Sequence, residues 1–307
     1  MAAAAQHQHA QGRERICADG HPFDGICFGG GSLQTFCYLK EISAIERVIE
    51  ARLNTHIKHF AGSSAGCLFA ISIAAGLTSH VIAETMVPVM DSLFKPSLAN
   101  IWRHMGLDDA SCMEAALRKA MKNHDIDMDM TISQFEEKHS IHLYLYAVDA
   151  EIQTGMFMPG HCTLMQAFRC SSAIPLLYVP YWFEDKLYID GSFLNCYIPH
   201  ILPADMNWYW MRVQQVIPQP PHTIEHVFTP RNASMEKYIE IVLGVVRSPA
   251  EVVIEMPDTV CVRNIAADAR VPFLIPRMNK ASFDAMFADL FLVKNQVDYT
   301  LEKTQKN

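Results

Sequence analysis

At 307 residues, 50% hydrophobic and 19% charged, the chain is long enough to bury a substantial core without a metal or disulfide staple. Its formal net charge of −8 excludes a global basic field of the kind that grips phosphate polymers, so nucleic acid is not an expected partner. Nine cysteines without a C-x-x-C pair read as reduced, small core residues of an intracellular protein.

In chain order, residues 1–22 begin alanine-rich but are broken by Gln, His, Arg and Glu, and are expected to form a loose tail rather than a signal peptide. Residues 25–28 form a short apolar run ending in Gly29-Gly30-Gly31, after which Tyr38, Ile42, Ile45, Ile49 and Leu53 recur at helical spacing: strand, glycine loop, amphipathic helix. A second unit follows, with a strand over 57–61, a glycine-flanked turn at Ser64, and a helix through Ala75 that is apolar all round and therefore buried. Two successive βα units predict a parallel sheet with helices on both faces.

Residues 77–122 carry no clear strand and are rich in Met86, Met90, Leu93, Phe94, Leu98 and Met105, reading as a helical cap. Its apolar stripe fits either core packing or a flexible mouth for a lipid chain. The strongest strand pattern spans 143–149, turning near Gln153 and Gly155 into Met156 and Phe157; further strands are expected over 187–189 and 208–213. Beyond these lie a proline-rich loop at 218–221, a helix over 235–246, a strand over 259–263 and a final helix over 283–302. No run reaches the roughly 18 apolar residues that span a bilayer, and the sequon at Asn232 is expected to be unused.

Chemistry concentrates at three places. Gly62-Ser63-Ser64-Ala65-Gly66 is a G-x-S-x-G pentapeptide between a strand and a helix, a turn that lifts a serine oxygen clear of the backbone beside the helix's N-terminal N–H groups. Gly29, Gly30, Gly31 and Ser32 lack the lysine of a phosphate loop and do not fit G-x-G-x-x-G, so their backbone donors fit an oxyanion hole better, at roughly 3–4 kcal/mol per donor. Asp190-Gly191-Ser192 sets a carboxylate at a strand end, and partial burial makes such a group a competent base for Ser64. His200, His222 and His226 are the alternative bases downstream, none with a distinguishing context.

With these boxes in this order, 24–213 resembles the patatin-like phospholipase family; Cys170-Ser171-Ser172-Ala173-Ile174-Pro175 looks like that family's serine-rich segment, and Asn195 and Pro199 like the residues trailing its aspartate box. The resemblance implies an α/β fold, a three-layer α/β/α sandwich with a mainly parallel central sheet. It also implies a lipid acyl hydrolase in which Ser64 is the nucleophile, Asp190 the base and Gly29 to Ser32 the oxyanion loop, supported by Gly62, Gly66 and Gly191. The chain departs from the family pattern at Leu33 and Gln34, where a basic residue and a glycine are usual, and at Ser192, which replaces Gly or Ala.

The expected division is a tail over 1–22, a catalytic core over 23–215 and a C-terminal extension over 216–307 packed on the same domain. No metal or cofactor is expected: His56 and His59 would point to opposite faces of a strand, and Asp125, Asp127 and Asp129 lack the glycine and glutamate of a calcium loop. The expected partner is a lipid or phospholipid, met by transient contact with a membrane surface, in an intracellular protein that is cytoplasmic or peripheral to membranes. Two other functions fit the same boxes: an impaired lipid-binding or interaction protein, and an esterase or thioesterase for small acyl groups.

Overall fold

The computed structural model describes residues 23–150, 152, 154–192, 198, 201–214 and 260–266. The expected tail, the loop at 218–221, the helices over 235–246 and 283–302, the sequon at Asn232, and Asn195, Pro199, His200, His222 and His226 lie outside the described residues.

Strand β1 (Gly25–Phe28) leads through a 3-10 turn (Ser32–Cys37) into α1 (Tyr38–Ile49), whose buried face carries Tyr38, Leu39, Ile42 and Ile45. Leu53 does not extend that helix: Glu50 closes it in a left-handed cap, and Leu53 opens the one-turn α2 (Leu53–His56). Strand β2 (His59–Ser63) starts two residues later than its apolar pattern predicts, so His56 ends a helix and His59 opens a strand, rather than both lying on one strand with opposite facing. Helix α3 (Ala65–Ala74) is buried almost throughout, as its all-round apolar sequence requires.

The cap comprises α4 (Ser79–Met86), a 3-10 turn (Val87–Ser92), α5 (Leu98–His104) and α6 (Ser111–Lys122). Contrary to the strand-free expectation for 77–122, it contains β3 (Gly106–Asp108), which pairs in parallel with β6 (Leu176–Tyr178) as a separate two-stranded sheet. A three-residue strand is too short to display an alternating pattern, and its pairing partner lies far away in sequence. After α7 (Ile132–His139) come β4 (His142–Asp149), β5 (Thr154–Phe157), α8 (Leu164–Ser172), β7 (Tyr181–Phe183), β8 (Lys186–Ile189), β9 (Trp208–Gln214) and β10 (Val260–Ala266). Helices α7 and α8 each begin in a capping box, Thr131 with Gln134 and Thr163 with Gln166.

The central eight-stranded sheet has the order β10-β9-β1-β2-β4-β8-β7, with β5 also on β4. Pairings from β10 to β4 are parallel, and those of β5, β7 and β8 are antiparallel. Central strands alternate between two apolar layers: Ile26, Phe28, Phe60 and Leu145 enter the larger core, while Cys27, Ala61, Tyr146 and Trp210 enter the smaller. Helices α3 and α8 pack on β2 and β4, so the fold is α/β with a mainly parallel sheet flanked by helices. Among the described residues no helix is long and apolar enough to cross a membrane.

One buried carboxylate ties the cap to the sheet layer. Glu46 on α1 accepts the Ser79 N–H at 3.1 Å and the Ser79 hydroxyl at 2.6 Å, anchoring the start of α4. Burial pushes its carboxyl up from 4.5 to about 7, against the lowering effect of the Ser79 hydrogen bonds and Arg52. A folded value above the unfolded one means that the stability contributed is full below 4.5 and is lost as pH rises through about 7. Glu46→Gln is therefore expected to flatten the fall in Tm across that window relative to the parent, as read by thermal melts at successive pH values.

Candidate active site

Ser64 sits between β2 and α3 with φ 54° and ψ −130°, a backbone region that non-glycine residues rarely occupy and that turns its side chain away from the sheet. The flanking glycines make the turn possible. A Cβ on Gly62 would lie 2.6 Å from Gly66 O, and one on Gly66 would lie 2.2 Å from Phe28 O, both against backbone that cannot yield.

Topology brings Asp190 to the same place. On β4, Ser63 of β2 pairs with Tyr146 and Ile189 of β8 pairs with Val148, so the residues that follow, Ser64 and Asp190, both arrive level with Ala147 on opposite sides of that strand. Strand β8 runs antiparallel to β4, so the carboxylate is delivered from an antiparallel strand rather than by another βα crossover. Both side chains are buried, and the Ser64 hydroxyl donates to Asp190 Oδ2 at 2.5 Å. Asp190 Oδ1 accepts the Ser192 N–H at 2.7 Å, which orients the carboxylate. Gly191 must lack a side chain, because a Cβ there would meet Ser63 Oγ and Tyr146 O, each at 2.6 Å.

Ser171, in the serine-rich segment, has a structural role that sequence reasoning missed. Its hydroxyl accepts the Ser64 N–H at 2.6 Å and donates to Tyr146 O at 2.5 Å, while its carbonyl accepts the Gly191 N–H at 2.9 Å. One residue at the end of α8 thus ties the elbow, β4 and the aspartate turn together. The serine-rich run signals importance, but nothing in the sequence tells which hydroxyl reaches a backbone 107 residues away. The Cys67 thiol also donates to Ser171 Oγ; burial, with a contribution from Asp190, pushes it up to about 12, so it remains protonated beside the serine.

Part of the glycine loop's donor set is spent in the sheet. Gly29 is removed from the predicted donors: its N–H donates to Met211 O at 2.9 Å, continuing the ladder between β1 and β9, and its carbonyl accepts from the Tyr38 hydroxyl. The N–H groups of Gly30 and Gly31 meet no acceptor among the described residues. Gly30 lies directly over Ser64, where a Cβ would be 3.0 Å from Ser64 Cβ and 1.9 Å from Ser192 Oγ. Ser32 opens the 3-10 turn with φ 52° and, like Ala65 at the start of α3, faces the cavity above Ser64. Ala65, the residue after the elbow serine, is the first residue of α3, whose first-turn N–H groups have no partner within the helix.

That cavity has a volume of about 380 Å³ and walls of Leu68, Phe69, Ile82, Met86, Leu93 and Phe168. The methionine-rich stripe of the cap therefore both packs and lines a cavity, for Met86 and Leu93 are buried and also form its wall. Leu33, in the slot where a basic residue is usual, is buried and faces the same cavity. His59, stacked on His142 at 4.7 Å, lies at the opposite end of β2 from Ser64. In the acidic segment, Arg118 pairs with Asp129 and Lys138 with Asp125.

Residues 26–201, more than half of the chain, match the family model described as patatin-like phospholipase. The chain belongs to that family. A 176-residue stretch is 25% identical to "Uncharacterized protein R571" of Acanthamoeba polyphaga mimivirus, over 54% of this chain and 57% of that protein, so the chain spans little more than half the length of this relative. Among solved structures, VipD of Legionella pneumophila is similar over 94% of this chain and 70% of its own, at 13% identity and TM-score 0.46. The complex of SpcU with ExoU from the type III secretion system of Pseudomonas aeruginosa contains a chain similar over 38% of this one and 22% of its own, at 19% identity and TM-score 0.21. The patatin-like boxes of this chain, the glycine loop, the Ser64 elbow and the Asp190 turn, all fall within the matched residues.

Proposed function

We propose that this patatin-like phospholipase relative is a serine lipid acyl hydrolase working through a Ser64–Asp190 dyad. The 2.5 Å bond from the Ser64 hydroxyl to Asp190 Oδ2 is the observation that carries the reading. As Ser64 Oγ attacks the ester carbonyl, its proton passes to Asp190, and the N–H groups of Gly30, Gly31 and Ala65 stabilise the oxygen that becomes negative. Asp190 then protonates the departing alcohol, leaving an acyl-serine. Water gives its proton to the same carboxylate and attacks the acyl carbonyl, and the fatty acid leaves as Ser64 takes back its proton.

The apolar walls of the cavity favour a long acyl chain over a small acyl group, and its volume of about 380 Å³ falls in the range of sites that enclose a whole small ligand. Leu33 extends that apolar wall where a cation would bind a phosphate group, which favours selection by the acyl chain rather than by the head group. The test is lipid profiling of mixed membranes incubated with the parent or with Ser64→Ala. Free fatty acid should accumulate only with the parent. A parent protein that releases none and resists a fluorophosphonate probe at Ser64 would instead be the lipid-binding protein that the changes at Leu33 and Gln34 favour.

A further inference from the structure

Ten non-glycine residues among those described have positive φ, and of these Met105 and Leu176 alone are large and apolar. Left-handed backbone favours glycine or asparagine, so a long side chain at such a position adds strain to the fold. Neither side chain is buried: Met105 is 58% exposed and Leu176 45% exposed. Their neighbourhood is also specific. Met105 caps α5 immediately before Gly106, and Gly106 is the register partner of Leu176 in the small parallel sheet. Two turns back from Met105 on α5 stands Leu98, 69% exposed, which also lines the cavity above Ser64. The cavity thus reaches the surface within this apolar patch.

We propose that Met105 and Leu176, with Leu98, form a membrane-docking edge that sets the cavity mouth against the acyl region of a lipid bilayer. The inference rests on the lipid hydrolase reading for its choice of occupant. A lipid ester packed in a bilayer reaches Ser64 only if its chain moves from the bilayer interior into the cavity, and an apolar rim keeps that path free of water. Residues that break local backbone rules without stabilising the fold mark places kept for another purpose.

The test uses the full chain with Ser64→Ala, so that vesicles stay intact, and reads flotation with phosphatidylcholine vesicles, with and without an anionic lipid. Adding Met105→Gly and Leu176→Gly should weaken binding at least about tenfold on both vesicle types, since each change removes a large apolar side chain from the contact. The same pair should leave Tm unchanged or raise it, because glycine relieves left-handed strain; Met105→Asn with Leu176→Asn provides an independent pair with the same expectation. Unchanged flotation overturns the proposal. So does a lowered Tm for both pairs, which would mean that the side chains pack within this chain, or a concentration-dependent dimer that the substitutions split, which would make the occupant a second copy. Fluorophosphonate labelling of the parent tests the hydrolase reading separately, since flotation needs no turnover.

Discussion

Ser64→Ala and Asp190→Asn are each expected to lower ester hydrolysis by about four to six powers of ten, with the fold intact. Alanine leaves no oxygen to attack the carbonyl. Asparagine keeps an acceptor for the Ser192 N–H, which Asp190 Oδ1 holds at 2.7 Å, but its amide cannot take the serine proton. Both substitutions should retain the parent circular dichroism and nearly its Tm, and kcat should fall far more than KM changes. If Asp190→Asn kept substantial activity while loss of His200, His222 or His226 abolished it, a histidine would be the base and the dyad would be wrong.

Gly66→Ala should be the most destabilising single methyl in the turn around Ser64, by roughly 2–4 kcal/mol. Its Cβ would stand 2.2 Å from Phe28 O and 2.7 Å from Gly29 O, so β1 and the glycine loop would have to separate from α3. Helix propensity points the other way, since alanine is favoured over glycine inside a helix by about 1 kcal/mol. The crowding wins because both opposing atoms are backbone in the central sheet and its loop. Denaturant unfolding decides the matter: a midpoint at or above the parent's would show that the close approach of helix and strand is not obligatory.

Legibility in the sequence followed the range of the physics involved. The first two βα units were readable because apolar periodicity and glycine placement are local signals, and the capping boxes at Thr131 and Thr163 are equally local. Local pattern reveals neither β3 nor the direction of β8, because pairing depends on partners distant in the chain. Gly29, Gly30 and Gly31 look alike in sequence; only β9 beside β1 distinguishes the one whose N–H is spent in the ladder. Ser171 stood in a recognised box, yet its hold on the Ser64 N–H depends on α8 ending over β4.

By itself, the amino-acid order determined the residue chemistry of the site and the local turns, since a strand-glycine-serine-glycine-helix succession admits few backbone paths. Tertiary structure alone decided that the Asp190 carboxylate meets the Ser64 hydroxyl, which of the loop glycines meet no acceptor among the described residues, and that Met86 and Met113 of the cap line a cavity above Ser64. The reason is distance along the chain. Serine and aspartate are separated by 126 positions, and only the registers of β2 and β8 on β4 bring them to one level.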